Sequence, residues 1–190
     1  MSDESADVPE EIKTWAKLGD IGHTCDYSAD VLEELKPWIN AGQVRIEPES
    51  NKYYQLLASK YPIGVNRIDW RGVRNYLVFD VLPADKGVTT GEEEETMLAK
   101  HRNILLDWFH TNGISLRECV VWTGDSTNVS LHMTIETLLK LYPHLFSWPQ
   151  HHYVFPETGE WCLNYTMEGQ LFFGRAENAH AHGYVDLDSP

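Results

Sequence analysis

His151-His-Tyr-Val-Phe155, Glu160-Trp-Cys-Leu-Asn-Tyr-Thr166 and Gln170-Leu-Phe-Phe-Gly174 are three short runs rich in aromatic and branched residues. Pro156-Glu-Thr-Gly159 separates the first pair and Met167-Glu-Gly169 the second, each short and each carrying a glycine, as hairpin loops require. Trp161, Leu163 and Tyr165 alternate with Cys162, Asn164 and Thr166, so one face is expected to be buried and the other partly polar. The spacing predicts a three-strand antiparallel meander. Local hairpins beside separate helices make the fold class α+β with a mostly antiparallel sheet, not a doubly wound one.

Upstream, Thr134 to Phe146 reads as a helix with Ile135, Leu138, Leu139 and Leu141 on its face, which Pro143 should interrupt. Glu118 to Thr123 reads as a strand. Before it lies the longest helix, expected to be central. Thr90-Gly-Glu-Glu93 has capping-box spacing, Met97, Leu98, Ile104, Leu105, Trp108 and Phe109 form its stripe, and Gly113 ends it. Asn75 to Leu82, dense in branched and aromatic residues, reads as a central strand, and Pro83 to Gly91 as a polar loop. Lys52 to Lys60 reads as a helix and Val44 to Ile46 as a short strand. Another helix should follow Ser28 as N-cap, be kinked or split by Pro37 and stop at Gly42. A further helical run is expected from Pro9 to Leu18. The resulting organisation is a flexible acidic N-terminus over 1–8, one globular domain over 9–174 and a tail over 175–190.

Charge is unevenly spread. The chain of 190 residues carries 29 acids against 15 bases, a net of −14, and residues 1 to 35 alone hold ten acids and two bases. Glu92, Glu93, Glu94 and Glu95 form the other concentration, at a helix start where the macrodipole favours them. Such a balance suits a cationic protein partner and opposes binding to nucleic-acid phosphates or an anionic membrane. We take Glu92 to Glu95 as the candidate partner-binding patch. No run approaches the roughly 20 apolar residues needed to span a bilayer, and the N-terminus has no signal-peptide pattern, so a cytoplasmic protein is expected.

No motif dictates a reaction. Cys25, Cys119 and Cys162 show no CxxC spacing, and the latter two, in strand-like runs, read as buried inert thiols. His151 and His152 are adjacent and should point to opposite strand faces, while His180 and His182 lack a matching carboxylate pattern, so neither a metal nor a cofactor is expected. His101 falls on the apolar side of the long helix and reads as a core or boundary histidine. The alternative is a hydrolase using a histidine-bound metal or the neighbourhood of Asp125, Ser126 and His132, within a loop whose ordinary role is to satisfy its own turn amides. A nucleic-acid mimic or assembly adaptor is a third reading.

Tyr153-Val-Phe-Pro-Glu-Thr-Gly-Glu-Trp-Cys-Leu-Asn-Tyr-Thr-Met-Glu-Gly-Gln-Leu-Phe-Phe-Gly174 resembles the closing hairpins of small bacterial immunity proteins of polymorphic toxin and contact-dependent growth-inhibition systems. The shared pattern is an aromatic strand, a tight turn, a Trp-led strand, a Glu-Gly turn and a Phe-rich strand. The resemblance implies a cytosolic, non-enzymatic protein that blocks a cognate toxin, often a basic nuclease, and it carries over no individual binding residue.

Overall fold

A computed structural model describes residues 26–64, 67–80 and 91–179, with 91–98 described by backbone alone. Its frame is one seven-stranded antiparallel sheet. The strands are β1 (Arg45–Glu47), β2 (Leu77–Asp80), β3 (Cys119–Gly124), β4 (Ser130–Thr134), β5 (His152–Phe155), β6 (Trp161–Tyr165) and β7 (Gln170–Arg175). Their spatial order is β1-β4-β3-β5-β6-β7-β2. The expected meander is β5-β6-β7, with Leu163 opposite Val154 on one side and Phe173 on the other. Gly159 and Gly169 adopt φ of 65° and 76° in its turns, a region a β-carbon disfavours. The fold class is therefore α+β, as the hairpin pattern indicated.

The helices are α1 (Ser28–Glu34), α2 (Lys36–Asn40), α3 (Asn51–Lys60), α4 (Gly91–Thr111) and α5 (Ile135–Leu145), with 3₁₀ turns at Trp70–Gly72 and Ala176–Asn178. Two apolar layers follow from strand alternation. On one face Val120, Trp122, Leu131, Val154, Trp161, Leu163 and Phe173 meet Val31 of α1, Leu35 at the junction of α1 and α2, Leu105, Trp108 and Phe109 of α4, and Leu138, Leu141 and Tyr142 of α5. On the other, Val121, Tyr153, Phe155 and Cys162 meet Tyr53 and Leu57 of α3 together with Tyr61, Ile68 and Trp70. Covering both faces explains why β3 and β5 are apolar or aromatic at nearly every position. The long helix, 21 residues, thus lies along one face beside α1 and α5.

Trp70 anchors the second layer. Its ring stacks on Phe172 at 5.6 Å, and its Nε1–H donates to Asn164 Oδ1 at 3.1 Å. Gly174 makes this possible, because a β-carbon there would lie 2.6 Å from the indole.

Several expectations need correction. Asn75 to Leu82 does not supply a central strand: β2 lies at the sheet's edge, paired only with β7 among the described residues. Pro143 lies inside α5 without ending it; the helix continues to Leu145. Ser28 is the first residue of α1 and not its cap. Asp26 Oδ1 accepts from the Ser28 hydroxyl and from the Ser28 N–H at 2.9 Å, and these bonds, the hydroxyl's foremost, hold the Asp26 carboxyl below its usual range. Pro37 does coincide with a split, between α1 and α2 at Leu35. Cys119 is exposed, contrary to the buried thiol expected, whereas Cys162 is buried. Arg175 still belongs to β7, and Ala179 bridges to Val73, so the fold reaches past the expected start of the tail. The runs at Pro9–Leu18 and 1–8, the loop from Pro83 to Thr90, Cys25, His180 and His182 lie outside the described residues.

Candidate functional site

Glu92 to Glu95 occupy the first turn of α4, as the capping pattern indicated, and their side chains lie outside what is described. The rest of the charge can be followed. None of the buried polar side chains among the described residues is an Asp, Glu, Lys or Arg. Ionised groups remain near water because burying them unpaired is costly. Lys36, Arg45, Lys52, Arg67, Arg71 and Lys140 each form a salt bridge, with Glu33, Glu157, Glu47, Glu168, Asp69 and Glu136 respectively. Much of the described cationic charge is thereby matched locally, and the acid surplus is what the surface presents outward.

Asp125, Ser126 and His132 do not assemble into a relay. Ser126 sits in the β3–β4 turn, where its N–H donates to Gln150 Oε1 at 3.0 Å and its hydroxyl lies 3.4 Å from Asp125 Oδ1. The same Asp125 oxygen accepts the His151 N–H at 3.0 Å. These side chains satisfy main-chain groups of the turn and of the strand entering beside it. A β-carbon at Gly124 would meet the Gln150 carboxamide, which would have to swing away from the Ser126 N–H.

His132 instead joins residues that no sequence spacing suggests. Its Nε2 lies 2.6 Å from the Tyr53 hydroxyl, and its Nδ1 lies 3.1 Å from Glu157 Oε1. The neutral tautomer with Nδ1–H donating to the carboxylate and Nε2 accepting from the phenol satisfies all three groups. Burial lowers the His132 pKa, Arg45 lowers it further, and Glu157 opposes them. Tyr53 is buried and its pKa is raised, so the phenol keeps its proton and works as a donor. The cluster ties α3 and the β5–β6 turn to β4, beside β1. Its chemistry is that of a structural clasp with an acid–base centre closed off from the surface on the tyrosine side.

Of the adjacent histidines only His152 belongs to β5; His151 precedes the strand. His152 is fully buried among Trp122, Phe146 and Tyr165, and its Nε2–H donates to the Trp148 carbonyl at 3.0 Å. Burial drives its pKa down to about 3. His101 is buried on α4, 3.4 Å from the Tyr142 hydroxyl, a core histidine as its helical position indicated. No group of three or more His, Cys, Asp and Glu among the described residues is placed to hold a metal ion.

The two sheet edges differ sharply. β1 is three residues long, and its Arg45 and Glu47 are bridged to Glu157 and Lys52. Short, charged and pinned, it has the features that keep an edge from pairing with another chain. β2 has none of that protection over Leu77-Val-Phe79, residues that remain 45%, 46% and 37% exposed. Leu77 and Phe79 lie on the face of Phe173, with Phe79 edge-on to that ring at 6.1 Å. Val78 and Asp80 lie on the opposite face, where Asp80 Oδ1 accepts from Gln170 Nε2 at 3.1 Å. The main chain can be oriented too. Gln170 accepts the Thr166 N–H at 2.8 Å, so its main chain faces β6, and by alternation Leu171 and Phe173 face β2. Those two are the register partners of Phe79 and Leu77. The N–H and C=O of Val78 and Asp80 therefore point off the sheet. Composition alone missed this edge, because a run such as Leu-Val-Phe reads the same at the rim as in the middle. No helix among the described residues is long and apolar enough to cross a membrane. Searches of family models, curated proteins and solved structures found no match to this chain.

Proposed function

We propose that this chain is a non-enzymatic, cytoplasmic immunity-type inhibitor that binds a cognate basic toxin domain and neutralises it by protein–protein contact. The carrying observation is charge display: a net of −14, with the described carboxylates all outside the buried core and many described cations already matched by neighbours. A surface of that sign attracts a positively charged partner and raises association rates by about 10- to 1,000-fold over an uncharged one. The unprotected β2 edge supplies apolar area at which an encounter could become a specific complex. Glu92 to Glu95, at the start of α4, are the proposed steering patch.

The test is co-expression with the protein encoded beside this chain's gene. A one-to-one complex, together with rescue of growth from that neighbour's toxicity, is the expected result. Absence of a complex, with turnover of a small substrate by this chain alone, would replace the proposal with the hydrolase reading.

A further inference from the structure

We infer that β2 is a docking strand, and that its occupant is an extended segment of a basic partner protein added antiparallel along its outer edge, with apolar and cationic residues alternating. The inference rests on the proposal that this chain is a protein-binding module. The observation behind it is the contrast between the two ends of one sheet. At β1, charges and salt bridges close the edge. At β2, the outward main chain of Val78 and Asp80 has no strand beside it among the described residues, and both faces of the strand carry exposed apolar side chains. An added strand would take up those donors and acceptors and cover Leu77, Val78 and Phe79 together.

Register specifies the occupant's pattern. A residue opposite Phe79 lies on the face of Leu77 and Phe79, so it is apolar. Its neighbour opposite Asp80 lies beside a carboxylate, so it is cationic. The next residue on that cationic face reaches Val78, which the aliphatic stem of Lys or Arg can cover. Net charge opposes a second copy of this chain as the occupant, since two bodies of −14 repel, whereas a basic segment is attracted.

The experiment uses the full chain, isotopically labelled, and a defined probe: an end-capped octapeptide of alternating lysine and isoleucine. The Val78 and Asp80 amide signals should shift on titration and become protected from exchange. The same peptide with glutamate in place of lysine should bind at least tenfold more weakly. Val78→Pro removes a donor that points away from β7, so the sheet should remain intact while peptide affinity falls at least tenfold. Asp80→Lys is a second variant that does not depend on proline being accommodated; it should weaken the lysine peptide and favour the glutamate one. Unchanged affinity in both variants would overturn the inference, as would signal changes confined to other surfaces. A two-chain mass that becomes one-chain in Val78→Pro would also overturn it, assigning the edge to a second copy. Peptide docking at β2 without any toxin partner would remove the immunity reading alone. A toxin complex indifferent to Val78→Pro would remove the docking strand alone.

Discussion

Replacing His152 with phenylalanine should make the protein less stable at neutral pH and more stable in acid. The imidazole is fully buried, and its surroundings push its pKa from 6.5 to about 3. An unfolded chain takes up this proton near the ordinary value, while the folded chain refuses it until about pH 3. Stability from the neutral buried ring is therefore fully present above about pH 6.5 and drains away as pH falls toward 3. A shift of about 3.5 units at about 1.4 kcal/mol each sets a ceiling of about 5 kcal/mol, of which about 3 is already lost by pH 4.5. Phenylalanine carries no such dependence. It gives up the Nε2–H bond to the Trp148 carbonyl, a loss of about 1–2 kcal/mol at pH 7. The two stability curves should then cross between about pH 5 and 6. Urea unfolding of both proteins in half-unit pH steps, followed by tryptophan fluorescence and circular dichroism, measures the difference. His132, whose pKa burial also lowers, and the titrating carboxylates are common to both proteins and cancel. Curves that stay parallel from pH 7 to 4.5 would refute the reasoning.

Gly174→Ala should lower stability by about 1–3 kcal/mol, because the new methyl meets the Trp70 ring and neither β7 nor the indole has room to yield; the shift in urea midpoint reports it. Pro143→Ala should raise stability by about 1 kcal/mol, since the helix already passes through this exposed position and alanine restores a donor there. In the native protein with Cys25 replaced by serine, an aromatic disulfide reagent should label Cys119 promptly and Cys162 only after unfolding, because Cys162 is buried with its pKa pushed up. Two fast thiols would contradict the burial of β6.

The meander was legible because each of its signals is local. Gly159 and Gly169 mark the turns, and Trp161 to Thr166 alternate within one strand. α4 was legible for the same reason, its stripe and its terminal Gly113, at φ 68°, being short-range features. What escaped the sequence depends on distant partners. Leu77-Val-Phe79 and Val120-Val-Trp122 are similar strings, yet one is the sheet's rim and the other its centre, a difference set by strand order alone. Tyr53 and His132 stand 79 residues apart and meet only because α3 lies over β4. Asp125-Ser-Thr suggested a reactive loop, but Asp125 Oδ1 accepts the His151 N–H, Thr127 Oγ1 accepts the Gly124 N–H, and the Ser126 N–H is taken by Gln150 Oε1. Pro143 is a reminder that a breaker near a helix end can be carried by strong packing of Leu138, Leu141 and Leu145 beneath it.

Association kinetics with the partner proposed above, the protein encoded beside this chain's gene, are the most direct test of charge-steered binding. A tight one-to-one complex is expected, whose on-rate falls steeply between low and physiological salt while its off-rate changes little. Charge reversal of Glu92 to Glu95 should slow association and flatten that salt dependence. A complex whose on-rate ignores both salt and the reversed charges would contradict it.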